Sequence, residues 1–491
     1  MSKVVVRRLA QRLHADPRRV IAKPYLPGEE IVPGGDSRSG LLMSRILAIP
    51  EDQVAELVVG IRRNFTERHD NFEALLERHF ELVAHHIAPN AASLSPARRL
   101  LIGAYYTNEY SVEGAALCNP SLVRAPDDRG LPDGHQRVIM SVRSVGEGHI
   151  SSIGFRSGVI DAAGALTLDV PAPHLVTGRR TSPPRYDRRQ FTLKLGELGA
   201  GNDLAWVVLE RLPERFTLEE LEDSLAKLEQ EGPPHAISFE TTKMMRLLAA
   251  SNYVTTFPAA SAISQRILFP AGPHETRGME DARFVRFVDG DTVKYYATYT
   301  AYDGFQILPQ LIETDDFVQF TISTLNGAAA QNKGMALFPR KIGGKYVMLS
   351  RKDRENLHLA TSDDVRCWNE VTALDRPREP WQLLQIGNCG SPIETTAGWL
   401  VVTHGVGPMR RYAIGVMLLD LDDPSRVIAR LADPLIEPDE SEREGYVPNV
   451  VYSCGGLRSR DDLVLPYGIS DGAIGVAVIS IPELLLALGQ R

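Results

Sequence analysis

The sequence predicts a mainly β chain: a five-bladed β-propeller with a helical N-terminal extension and a helical insertion. Three observations lead there. A degenerate unit of apolar strand, polar bend and second apolar strand recurs five times after Cys118. Its last four copies lie about 50–65 residues apart, a propeller-blade period rather than that of a helical repeat. Gly 40 and Pro 32 among 491 residues are somewhat above average usage, and many short strands need that many bends.

Residues 1–110 read as the helical region and 111–491 as the propeller, with the insertion at about 160–255. In EDQVAELVVGIRRNF (51–65), Val54, Leu57, Val58 and Ile61 recur at helical spacing. Phe72, Leu75, Leu76, Phe80 and Val83 form a second stripe. Ser95 is a candidate N-cap, with Pro96 at the first position of a helix reaching Tyr106. A Pro/Gly-rich stretch, Pro24 to Gly35, interrupts the region. Such stripes pack a core or an oligomer contact, so a homo-oligomer is expected to form through these helices. The strand–bend–strand copies start at His135, Asp291, Gly344, Gly398 and Asp461. Between the first two lies helical text, Phe216–Gly232 and Thr241–Ala250, read as the insertion. Innermost propeller strands line a channel, so the bends after them converge. Arg143, Asp303, Arg351, His404 and Asp471 are expected in those bends.

Composition narrows the function. The net charge is -8 with no block of like charge, which argues against a nucleic-acid partner. No apolar run is long enough to span a bilayer, and MSKVVVRRLAQRLHADPRR lacks the apolar core of a secretory signal. Cys118, Cys367, Cys389 and Cys454 lack CxxC spacing and read as reduced thiols of a cytoplasmic protein. No His/Cys/Asp cluster has metal-ligand spacing, so no metal is expected.

The densest motif is ETRGMEDARFVRF, Glu275 to Phe287. Glu280 and Asp281 follow the turn at Gly278 just before a strand start, where a carboxylate suits a general acid. Arg283 is near enough to hold or orient one of them. In QNKGMALFPRKIGGKYVMLSRKD, Lys333 and Arg351 flank a hairpin, and two cations at a channel mouth suit an anion such as phosphate. GWLVVTHGV with RRYAIG presents His404 and Tyr412, and YGISD ends at Asp471.

NPSLV, GMEDARF, LFPRKIGGKYVML, LATSDDVRCW, GSPIETTAGWLVVTHGV, YAIGVMLLDLDDPSRVIAR, GYVPNVVYSCG and YGISD occur in this order. Together they resemble glycoside hydrolase family 130, the β-mannoside phosphorylases and related hydrolases, over roughly residues 115–485. The resemblance implies a five-bladed propeller and inverting phosphorolysis of a β-mannoside oligosaccharide to α-mannose 1-phosphate. Inorganic phosphate is then the co-substrate, and no cofactor is implied. Asp281 matches the proton donor, whose proton reaches the glycosidic oxygen through a sugar hydroxyl. Lys333, Arg351, His404 and Tyr412 match the phosphate-binding set. Asn119 and Arg143 match positions near sugar and phosphate, and Asp471 a carboxylate on the mannosyl hydroxyls. Glu280, Arg283 and Asp303 complete the substrate-side candidates. Ala282 stands where the family has proline, and Lys333 where phosphorylases carry arginine; lysine keeps the charge without the bidentate fork.

One carboxylate facing cations is what a phosphorylase needs, because phosphate already is an anionic nucleophile. An inverting hydrolase needs a second carboxylate for water, for which Glu280 and Asp303 are the candidates. A mannosyltransferase of oligosaccharide or storage-glycan synthesis and a non-catalytic sugar-binding propeller complete the alternatives.

Overall fold

The computed structural model describes residues 4–28, 37–87, 94–183, 185–231 and 239–490, so the Pro24–Gly35 stretch lies partly outside the described residues. The chain divides into two compact units, one of Asp16–Gly114 with Ala172–Val176, the other of Met1–Ala15, Ala115–Pro171 and Thr177–Arg491.

The smaller unit holds helices Arg38–Leu47, Glu51–Phe65, Phe72–Val83 and Pro96–Tyr105. Ser95 caps the last: its Oγ accepts from the Arg98 amide at 3.1 Å, and Pro96 sits where no amide hydrogen is needed. Val54, Val58, Phe72, Leu76, Phe80 and Val83 are buried together. Leu57, from the same sequence stripe, is exposed. The unit is not all helix, because Val20–Pro24 pairs antiparallel with Thr107–Ser111.

The larger unit is mainly β. Ala116–Arg124, Gln136–Val145, Ser151–Ile160 and Leu166–Leu168 form one antiparallel meander. Gly278–Asp289, Thr292–Tyr302, Ile307–Thr314 and Gln319–Thr324 form the next. A single parallel pair, Gly278 with Ser151, joins these two into one sheet. Gly278 has φ 136, and a Cβ there would lie 2.6 Å from the Ser151 nitrogen, so only glycine permits the junction. Separate sheets follow: Ala336–Leu337, Tyr346–Ser350, Leu357–Ser362 and Glu370–Asp375; then Gln385–Asn388, Gly398–Val406, Tyr412–Leu419 and Val427–Arg430. The last sheet holds Val451–Tyr452, Asp462–Ile469 and Ala473–Ser480. Val6–Arg8, from the stretch read as helical, adds to its far edge against Ala477–Ile479. Gly398–Val406 is buried at every position, which is why it reads as an apolar run rather than an alternation.

The insertion carries four helices, Arg188–Glu197, Asp203–Glu210, Leu218–Glu231 and Phe239–Ala250. They close on a core of their own that includes Phe191, Leu195, Val208, Phe216, Leu225 and Met245. Among the described residues no helix is long and apolar enough to cross a membrane.

Candidate active site

A cavity of about 270 Å3 is lined by Asn119, Arg143, Asp281, Arg283, Lys333, Arg351, His404, Tyr412 and Asp471. Nine of the candidate side chains, far apart in sequence, thus meet in one place. Glu280 stands beside it, with Arg143 Nη2 at 2.6 Å and Lys333 Nζ at 3.7 Å from its carboxylate.

Local backbone irregularity aims several of these groups. Asn119 and Asp281 have positive φ, 50° and 56°, and each lies at a break in strand register, Cys118/Ser121 and Glu280/Arg283. Bulges of this kind turn a strand residue out of alternation. Asp281 therefore lies inside the strand Gly278–Asp289 rather than before its start. Asp471 follows Ser470 in a hairpin turn where both have positive φ, a conformation that costs non-glycine residues about 1–3 kcal/mol each and clusters at functional sites. Arg143 and His404 sit within strands rather than in bends.

Asp281 Oδ1 accepts from the Asn119 amide and from Arg143 Nη1 at 3.2 Å. Burial alone would raise this carboxyl, but the charges of Arg143, Lys333 and Arg283 and the Asn119 bond together hold it below the usual carboxylate range. Arg283 does not pair with the carboxylate. Its Nη1 donates to the Asp281 carbonyl at 3.0 Å and its Nη2 to the Tyr452 hydroxyl at 2.6 Å. Asp471 is pushed up to about 6 by burial and by Asp281, against the opposing pull of Arg143 and a bond from the Cys118 thiol.

Arg351 is 7% exposed and makes no ion pair among the described residues. Its Nη1 donates to His404 Nε2 at 2.9 Å, and its Nε has no partner. His404 is itself fully buried, and Nδ1 lies 3.1 Å from the Asn388 carbonyl, which fixes the tautomer with Nε2 as acceptor. Burial, then the charges of Arg351 and Arg283, hold its pKa well below 6.5, so it is neutral. His404 therefore adds no positive charge; it orients Arg351.

Asp303 is the exception. It does not line the cavity, and its carboxylate accepts from the Phe305 and Gln306 amides and lies 3.4 Å from His274 Nδ1. A bend aspartate capping its own turn is the local competitor of any site role. Conversely, Tyr452, Arg410 and Gln385 line the cavity without having been singled out. Tyr452 stands in GYVPNVVYSCG, and its ring packs 4.8 Å from that of His404.

A family model described as beta-1,4-mannooligosaccharide phosphorylase matches residues 259–489. The 1,2-beta-oligomannan phosphorylase of Thermoanaerobacter sp. (strain X514) is 37% identical over 222 residues, which are 43% of this chain and 71% of that protein. The beta-1,2-mannobiose phosphorylase of Listeria innocua is 34% identical over 44% of this chain and 62% of its own. The beta-1,4-mannooligosaccharide phosphorylase of Ruminococcus albus is 30% identical over 39% and 61%. The solved structure of the Listeria innocua enzyme with beta-1,2-mannobiose superposes with a TM-score of 0.45 at 24% identity, covering 77% of this chain and 93% of that one. The matched region carries Asp281, Lys333, Arg351, His404 and Asp471, while Asn119 and Arg143 reach the same cavity from outside it. On these sequence matches, the chain belongs to glycoside hydrolase family 130.

Proposed function

We propose that the chain catalyses inverting phosphorolysis of a β-mannoside, with inorganic phosphate as co-substrate. The observation that carries this is Arg351. A buried guanidinium with a neutral imidazole as its side-chain partner is costly unless an anion completes it. Lys333 and Arg143 line the same cavity and make it a seat for a dianion.

In this reading phosphate attacks the anomeric carbon from the face opposite the leaving sugar. The bond from that carbon to the glycosidic oxygen breaks, and Asp281 supplies the proton to that oxygen through a sugar hydroxyl. Asp471 and Asn119 hold mannosyl hydroxyls. With Arg143, Lys333 and Arg283 as its neighbours, Asp281 is held ionised, which is unsuited to an acid. Bound phosphate offsets the charges of Arg143, Lys333 and Arg283, raises the Asp281 pKa and so arms the acid only when the nucleophile is present. Hydrolysis lacks a comparable support, because Glu280 is tied to Arg143 and Lys333, and Asp303 is outside the cavity. We read the five meanders as five blades; each sends at least one residue to this cavity.

The test is phosphorus NMR of the purified protein with β-1,2- and β-1,4-linked mannobiose. Phosphate-dependent appearance of α-mannose 1-phosphate is expected. Asp281→Asn should lower kcat by about 10²–10⁴-fold. Release of free mannose at equal rate without phosphate would overturn the reading.

A further inference from the structure

The hairpin that carries His404 and Tyr412 closes through the bend Gly407–Arg411. There the Gly407 amide donates to the Arg411 carbonyl at 3.0 Å, and the Arg411 amide to the Pro408 carbonyl at 3.1 Å. Met409 and Arg410 both have positive φ in this bend, 58° and 54°. Two successive non-glycine residues in that region are strained, and such strain gathers at ligand clamps and active sites. The bend treats its two arginines differently. Arg411 does not line the catalytic cavity; its Nη1 lies 3.3 Å from Glu437, and its Nη2 donates to the Pro438 carbonyl at 3.2 Å. Arg410 lines the cavity, is exposed, and makes no side-chain hydrogen bond or ion pair among the described residues.

The other cations of that cavity are each bonded to a side chain. Arg143 meets Glu280 and Asp281, Arg283 meets Tyr452, Lys333 meets Glu280, and Arg351 meets His404. With Glu280 counted, five cations face three carboxylates among the described residues. The excess of two positive charges equals that of one phosphate dianion; without Arg410 the excess is one. The class of ligand follows from Arg351, which is buried with a neutral partner, and Arg410 adds a free guanidinium on the exposed side of the same cavity. Lys333 is a point charge and cannot grip an oxyanion with two parallel bonds, whereas a guanidinium can.

We propose that Arg410 is a further phosphate ligand, closing over the anion from the mouth of the cavity with the two-pronged contact that lysine at position 333 cannot make. The proposal deepens the phosphorolysis reading and rests on it for what the bound phosphate does.

The experiment is isothermal titration of the full chain with inorganic phosphate alone. Saturable binding is expected in the parent, and Arg410→Ala should raise the Kd at least about tenfold. Arg410→Lys should lose nearly as much, because it keeps the charge and removes the fork. Lys333→Arg, added to Arg410→Ala, should recover part of the loss. Arg411→Ala should bind phosphate as the parent does. Arg410 is exposed and holds no other side chain, so its variants should fold as the parent does, and circular dichroism checks that they do. Parent-like binding in Arg410→Ala or Arg410→Lys, no recovery with Lys333→Arg, or no phosphate binding by the parent up to about 10 mM would each overturn the proposal. Initial rates separate it from the reading it rests on. A raised phosphate KM with an unchanged mannoside KM in Arg410→Ala supports both. Phosphate binding that depends on Arg410 without any α-mannose 1-phosphate formed by the parent supports the ligand role and removes phosphorolysis.

Discussion

On the proposed phosphorolysis, Arg351 and His404 form the unit on which phosphate selection turns. With Nδ1 turned to a carbonyl, the neutral imidazole offers Nε2 as an acceptor and points the guanidinium at the cavity. His404→Phe keeps a ring but removes that acceptor. The KM for phosphate should then rise by about tenfold or more while the KM for mannoside moves little. Initial rates over a grid of both substrates check this, and an unchanged phosphate KM would remove His404 from the positioning role. Asp471 makes a different prediction. Its folded pKa of about 6 lies above the ordinary value of about 3.9. Between those values the native state holds a proton that the unfolded state has lost, so this group's contribution to stability falls as pH rises through the window and remains unfavourable above it. Asp471→Asn removes the penalty. The variant should be more stable than the parent by about 1–3 kcal/mol at pH 7.5, with the difference vanishing towards pH 4, while losing mannoside turnover. Urea unfolding at the two pH values reads the first part and initial rates the second.

At the scale of elements, one strand pair sets the site's tolerance. Gln385–Asn388 pairs with Gly398–Val406 so that Gly387 stands opposite His404. A Cβ on Gly387 would lie 2.5 Å from both Arg351 Cδ and His404 Cε1. Gly387→Ala must therefore displace one of the two groups of the proposed anion seat. It should destabilise the fold by about 1–3 kcal/mol and raise the phosphate KM with the mannoside KM nearly unchanged. Calorimetry and initial rates test the two halves; normal phosphate KM with normal stability would mean that the pair has slack. Elements also show what could be read beforehand. The hairpins from Gly398 and Asp461 were legible because long strands buried on both faces leave apolar runs around a polar bend. The bulges at Asn119 and Asp281 were not, since one extra residue shifts the alternation without any change of composition. Arg188–Glu197 and Asp203–Glu210 were missed as helices although Asp187 and Asn202 cap them, because they are short and the first is largely polar. Asp303 stands apart from the cavity for a different reason: a bend aspartate looks alike whether it serves its own turn or a ligand. Convergence itself was visible through the repeat, whereas Tyr452, which directly follows Val450 and Val451, showed its contact with Arg283 only in three dimensions.

At the scale of the whole β unit, the chain's beginning is built into its end. Val6–Arg8 pairs with Ala477–Ile479, and Leu13 and His14 pair with Ile474 and Ala473. These strands are too short to announce themselves, and they join residues at opposite ends of the sequence, a closure whose entropy grows only logarithmically with length. The seam carries charge as well as backbone bonds. Glu442 has no exposed surface; it is met by Arg12 Nη1 at 3.0 Å, Arg8 Nη2 at 3.4 Å and the Tyr467 hydroxyl at 2.6 Å. Removing both arginines leaves a buried carboxylate with neutral donors alone, the Tyr467 hydroxyl and the Asp439 amide at 3.4 Å, a change that costs about 3–5 kcal/mol. The Arg8→Ala/Arg12→Ala variant should show that loss as a lower urea midpoint with an unchanged m-value, and adding Glu442→Gln should recover part of it by removing the stranded charge. The same sheet holds Tyr452 and Asp471, whereas Arg351 and His404 belong to others. Loosening the seam should therefore weaken mannoside binding before phosphate binding, measured by titrating each ligand at a urea concentration just below the variant's midpoint. Equal loss of both would mean that the seam and the anion seat unfold as one unit.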